Sequence, residues 1–147
     1  MLILGRFTDE RKAVLDALRD ELRKRNYLPI LFDFKQSASL EVAETIKVLA
    51  GLARFVIADI TDPTQVRVEL DNIVKEFTGL AVQPILLKGQ PVYVDFPRLK
   101  KFPWVLPMFE YDSQEHLLAN LATSVIPRAE EKVLELRREA AQQVLQN

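Results

Sequence analysis

The chain has 147 residues, 48% hydrophobic and 28% charged, with a formal net charge of -1. That is the composition of one globular domain, and the near-neutral balance offers no global attraction to nucleic acid or to an anionic membrane. The absence of cysteine and the single histidine exclude disulfides, thiol catalysis and the usual zinc sites. The opening run Met1-Leu2-Ile3-Leu4 is too short for a signal peptide, and no segment has the apolar length needed to span a bilayer. The expected location is cytoplasmic.

Residues 2–4 read as a short strand. Thr8 caps a helix with Asp9 and Glu10 in its first turn and Val14, Leu15, Leu18 and Leu22 at helical spacing. A second strand follows over 28–34, and Ser39 opens a helix carrying Val42, Ile46 and Leu49. The third strand covers 54–60. Asp62-Pro63-Thr64-Gln65 then supplies an N-cap, a proline at the first helical position and a capping-box glutamine. The helix that follows buries a stripe of Val66, Leu70, Ile73, Val74 and Phe77. Strands four and five are expected over 82–87 and 104–111. The connection between them carries Pro91, Pro97 and Pro103 and has room only for a short helix near Arg98. Its Tyr93, Phe96, Leu99 and Phe102 either cover the sheet or form a partner surface. Asp112-Ser113-Gln114-Glu115 opens the last helix with another capping box. Beyond Pro127 a stripe of Ala129, Val133, Leu136, Ala140 and Val144 continues the helix, to pack back or to pair with another chain. The expected division is a domain over 1–126 and a helical extension over 127–147.

Strands alternating with helices predict an α/β fold, a three-layer doubly wound sheet of five parallel strands. Pro29 and Pro107 fall inside strands two and five, and proline within a sheet is tolerated mainly at edges. The predicted order is therefore 2-1-3-4-5. Phe55-Val56-Ile57-Ala58 is a continuous apolar run, as a strand buried on both faces requires. The switch point lies between strands one and three, where open α/β sheets bind their ligands.

Several side chains stand at that switch point. Gly5, Arg6 and Phe7 form the first strand-to-helix turn, where glycine allows close backbone approach and arginine can grip an anion. Asp59 ends the central strand and needs partners, water or a ribose hydroxyl. Asp62 is first a helix cap. Asp33 ends strand two, further from the switch point. Glu69 borders the buried stripe of its helix, where a raised pKa or a nucleophilic role can arise. The chain has neither G-x-G-x-x-G nor G-x-x-x-x-G-K, which excludes the corresponding nucleotide folds. A phospho-receiver is excluded too, because Gly5-Arg6 and Glu110-Tyr111 stand where it needs paired acids and a lysine.

With these residues in place, the chain resembles the TIR-like branch of flavodoxin-like folds, which includes Toll/interleukin-1-receptor domains and nucleoside 2-deoxyribosyltransferases. Leu2-Ile3-Leu4-Gly5-Arg6-Phe7-Thr8, with Glu10, Leu15, Leu18 and Leu22, followed by Leu28-Pro29-Ile30-Leu31-Phe32-Asp33, is similar to the group's first strand, helix and second strand. Ala53-Arg54-Phe55-Val56-Ile57-Ala58-Asp59-Ile60-Thr61-Asp62, with Glu69-Leu70, is similar to its third strand and glutamate-bearing helix. Gln83-Pro84-Ile85-Leu86-Leu87 matches the strand after it. The likeness covers 1–126 and extends to TIR-like modules within larger bacterial proteins.

The resemblance implies that Glu69 is the carboxylate that attacks or stabilises a ribose anomeric carbon while an N-glycosidic bond breaks. Asp59 or Asp62 would then hold the sugar. The chain departs from the group in three ways: Leu70-Asp71 replaces the glycine after the glutamate, no tryptophan-cysteine pair is present, and strand two is not followed by a proline-glycine loop. The expected function is accordingly a TIR-like signalling or interaction domain that recognises a nucleotide at the switch point. Its expected partners are a nucleotide such as NAD or a nucleoside, and a second copy or other protein domains. No cofactor, metal, nucleic acid or membrane is expected. The alternative is an N-glycosidase acting on NAD or a nucleoside through Glu69, and a weaker one is a structural oligomerisation module.

Overall fold

The computed structural model describes all residues except 6, 7, 34–39, 62–65 and 147, and the side chains of 33 and 40–42 also lie outside the description. The parallel strands β1 (Leu2–Gly5), β2 (Ile30–Asp33), β3 (Phe55–Asp59), β4 (Ala81–Leu87) and β5 (Phe109–Tyr111) form one sheet in the order β2-β1-β3-β4-β5. This is the flavodoxin-like order expected from the alternation of elements and the edge prolines. Along β3 the side chains alternate between two cores. Val56 and Ala58 face the layer of α2 (Leu40–Leu52), α3 (Val66–Glu76) and the short α4 (Phe96–Leu99). Phe55 and Ile57 face α1 (Asp9–Lys24), α5 (Gln114–Asn120) and α6 (Ile126–Gln146). Every residue of β1 and β3 is buried, because helices cover both faces.

Proline shapes the far edge of the sheet. The run expected as one strand over 104–111 instead makes an isolated bridge, Val82↔Val105, and resumes at Ile85↔Phe109. Three steps along β4 thus match four along the β5 side, which is a bulge, and Pro107 sits in it. Pro84 occupies the interior strand β4. Ile85 O accepts from Ile60 on the β3 side, while Val82 bonds Trp104 and Leu106 on the β5 side. Pro84 shares the parity of Val82, so its missing N–H faces the bulge, where no ladder bond is lost. The buried Gln83 amide bridges the gap, donating to Pro84 O and to Pro107 O, each at 2.9 Å.

The 88–103 connection covers the sheet. Phe96 and Leu99 are buried, Tyr93, Phe102 and Trp104 pack against the same core, and Trp104 Nε1 donates to Val74 O at 2.9 Å.

The last helical rod runs through Pro127 without a break. A π-helical turn over Leu121–Val125 joins α5 to α6, and the N–H of Ile126 reaches back to Leu121 O. Proline in a helix interior collides with the carbonyl four residues back, and the ladder is already widened where Pro127 would do so. The first half of α6 packs back onto the domain: Ala129 and Val133 are buried and Leu136 leans on the same core. Glu130 anchors it. Its carboxylate accepts from Arg54 Nη2 at 2.5 Å and from Tyr27 Oη at 2.6 Å. From residue 137 to 146 the helix is exposed on all sides, and Val144 and Leu145 are among its exposed residues.

The Glu130 clamp has a pH signature. The hydrogen bonds from Arg54 hold the Glu130 carboxyl below its ordinary value of 4.5. A depressed folded-state pKa stabilises above the unfolded value and loses that contribution as pH falls through the folded one. Glu130→Gln should therefore cost up to about 1 kcal/mol at neutral pH after solvent screening. The cost should shrink in acid, as pH falls below 4.5. Urea denaturation at neutral pH and in acid measures it, and an equal cost in both would mean the charge contributes nothing.

Candidate functional site

The alternation that buries Phe55 and Ile57 turns Asp59, at the carboxyl end of β3, toward α1. On α1, Arg11 precedes Leu15, Leu18 and Leu22 at spacings that keep all four on one stripe, and all four are buried. Thr8 caps the helix, its side chain accepting from the Arg11 N–H. The packing that docks the leucines therefore brings the guanidinium to the carboxylate. Arg11 Nη2 and Nε donate to Asp59 Oδ2 at 2.5 and 3.2 Å. Asp59 is 3% exposed and Arg11 8%, so this is an ion pair shielded from water.

The other oxygen is occupied as well. Asp59 Oδ1 accepts from the Thr61 N–H at 3.1 Å and from Thr61 Oγ1 at 2.5 Å, which fixes the turn after β3. Thr61 Oγ1 in turn accepts from the Leu87 N–H at 3.0 Å, tying that turn to the end of β4. Tyr111, the last residue of β5, is fully buried. Its hydroxyl accepts from Arg11 and lies 3.5 Å from Asp59 Oδ2, and the guanidinium carbon stands 5.5 Å from its ring centroid. One carboxylate thus joins α1, β3, β4 and β5. Its acceptor sites are taken up by the protein's own donors.

Gly5 is likewise used internally. A Cβ there would lie 2.7 Å from Leu15 Cδ1 and 3.0 Å from Cδ2, so the Leu15 side chain fills the space that glycine leaves. Asp33 pairs with Gly5 in register at the end of β2, and its side chain lies outside the described residues. Arg6, Phe7 and Asp62 also lie outside the described residues.

Glu69 stands apart from Asp59. It sits in the first turn of α3, on the opposite face of the sheet, and is half-buried. Burial raises its pKa. The Lys47 charge opposes that shift and Glu76 adds to it, and those two residues pair across α2 and α3 at 3.1 Å. The structure therefore gives Glu69 a desolvated setting beside α2 and does not bring it to the Arg11–Asp59 pair. Among the described residues, no cluster of three His, Cys, Asp or Glu side chains could hold a metal.

Arg11 and Tyr111 complete the network, and sequence reasoning assigned neither a role. Arg11 carried a signal: a cation on an otherwise leucine stripe must find an anion once buried. Tyr111 carried none, because its approach depends on where β5 ends.

Asp59→Asn leaves a buried guanidinium without its counter-charge, and we expect a loss of about 3 to 5 kcal/mol in urea denaturation. The double variant Arg11→Met with Asp59→Leu should lose less than Asp59→Asn does, and additive losses would show that the two groups do not couple. No protein-family model matches the chain, and no curated protein is significantly similar to it.

Proposed function

We propose that the chain is a TIR-like signalling or interaction domain in which the strand-end aspartate is structural. The observation that carries this reading is the closure of Asp59 by Arg11, Thr61 and Tyr111. A sugar contact needs a carboxylate with free acceptors, and this one has spent them on holding four elements together. A nucleotide recognised at the switch point would meet the turns after β1 and β3 and not the Asp59 side chain. The exposed, apolar-tipped half of α6 suits self-association through Val144 and Leu145.

The rival reading, an N-glycosidase acting on NAD or a nucleoside, rests on Glu69. Burial raises the pKa of that carboxyl, as a group poised for proton transfer to the leaving base requires. With Asp59 closed by its own partners, this reading would use Asp62, which lies outside the described residues, to hold the sugar.

Concentrated protein incubated with NAD or a 2′-deoxynucleoside should release no base above the uncatalysed rate. Release that Glu69→Gln abolishes would establish the glycosidase and overturn the interaction reading. In the same variant, stability should change with a definite sign. A raised carboxyl pKa destabilises as pH rises above its ordinary value, so Glu69→Gln should be no less stable than the parent at neutral pH and should lose any advantage near pH 4.5. Sedimentation velocity gives a separate check on self-association. The full chain should associate as concentration rises, whereas a chain ending at Arg138 should stay monomeric.

A further inference from the structure

The outward side of α3, opposite its buried stripe, forms one wall of a cavity of about 260 Å³. Arg67, Asp71 and Lys75 line it from α3, and Tyr93, Asp95 and Arg98 line it from the segment that leads into and through α4. These side chains are not needed for the core, which the helix makes with Val66, Leu70, Ile73 and Val74.

The charges in this cavity do not cancel. Lys75 pairs with Asp71 at 2.8 Å. Among the described residues, Arg67 and Arg98 make no ion pair with any carboxylate, and Asp95, at the start of α4, makes no side-chain capping bond. Two guanidinium groups thus share the cavity with one unpaired carboxylate.

Tyr93 adds a second, independent observation. Its hydroxyl is, among the described residues, the buried side-chain polar atom with no hydrogen-bond partner. Leaving such a group unsatisfied costs about 1 to 3 kcal/mol. Its ring is held edge-on against buried Phe96, with centroids 5.6 Å apart, so the hydroxyl cannot simply turn away into solvent. Burial first, and then the Asp71 carboxylate, push the phenol up to about 12, which keeps it a donor at any ordinary pH. Arg67 and Asp95 also act on it, so the charged lining surrounds the orphan hydroxyl.

We propose that this cavity binds a small molecule through an oxyanion group, a phosphate or a carboxylate, gripped by Arg67 and Arg98, with the shielded Tyr93 hydroxyl as a further donor once the cavity wall opens to it. Planar guanidinium groups match both oxyanions through paired N–H donors. The volume lies just below the range of about 300 to 1,000 Å³ usual for ligand pockets, which fits a small metabolite and not a dinucleotide. Asp95 and Asp71 disfavour a polyanion and favour a ligand whose acidic group has a hydrogen-bond donor beside it. The site lies away from the Asp59 network and is independent of the function proposed above.

The test is an amide NMR titration of the full chain with sodium phosphate and, separately, sodium acetate, at an ionic strength held constant with sodium chloride. One or both anions should give saturating shifts at Asn72, Tyr93 and Leu99. Saturation by phosphate alone assigns a phosphate ligand, by acetate alone a carboxylate, and by both an oxyanion site of either kind. Arg67→Gln and Arg98→Gln should each weaken binding about tenfold. Tyr93→Phe should weaken it several-fold while leaving the rest of the spectrum in place. Arg67→Lys, which keeps the charge and loses the fork, should also weaken it, and Lys88→Gln should not. Shifts that fail to saturate with either anion, or that persist unchanged in the Arg67→Gln, Arg98→Gln double variant, would overturn the proposal.

Discussion

A carboxylate buried at the end of the central strand must be compensated, and the Arg11–Asp59 pair meets that demand. Removing either charge from water costs several kcal/mol, recovered only by close geometry and by satisfying the remaining lone pairs. Both conditions are met: Arg11 binds one oxygen and Thr61 the other. The consequence is positional. Helix α1 must sit where its first turn reaches β3, and the turn after β3 must fold back on its own strand. β5 must end where the Tyr111 hydroxyl closes the group. The carboxyl edge of the sheet is thereby held by one hydrogen-bonded cluster, and the aspartate that looked most available for a ligand is the group most committed to the fold.

The opposite, amino-terminal side is held by a second charged cluster, of looser construction. Arg54, just before β3, and Tyr27, just before β2, both bind Glu130 of α6. This contact is more exposed than the first and so is screened more by salt. Between the two clusters the described core is largely apolar, and the Gln83 amide fills the gap left by Pro84 and Pro107. An interior proline is tolerated because its missing donor points at an edge strand that bulges in the same place.

Sheet alternation also decides which acids can act together. Asp59 turns toward α1, and α3 with Glu69 packs on the other face. The helix that pairs with Asp59 and the helix that carries Glu69 thus pack on opposite faces of the sheet. Among the described residues, unpaired charge lies beside a cleft on the outward side of α3, which Arg67, Arg98 and Tyr93 line together.

Strand order, helix positions and the Thr8 and Ser113 caps were legible in the sequence, because each is set by local periodicity, capping chemistry or proline. The Ser39 and Asp62 caps were read in the same way and lie outside the described residues. β5 was misjudged in length, since the bulge at Pro107 depends on a register with β4 that no local pattern carries. The candidate site was legible only in part. Sequence alone placed Asp59 and Gly5 at the switch point, and the cation on the α1 stripe was there to be read. That Leu15 fills the space beside Gly5, that Tyr111 closes the ion pair, and that the helix carrying Glu69 packs on the face opposite α1 were decided by tertiary structure. Each depends on which surfaces meet once helices dock, a long-range packing outcome that residue spacing along one segment does not encode.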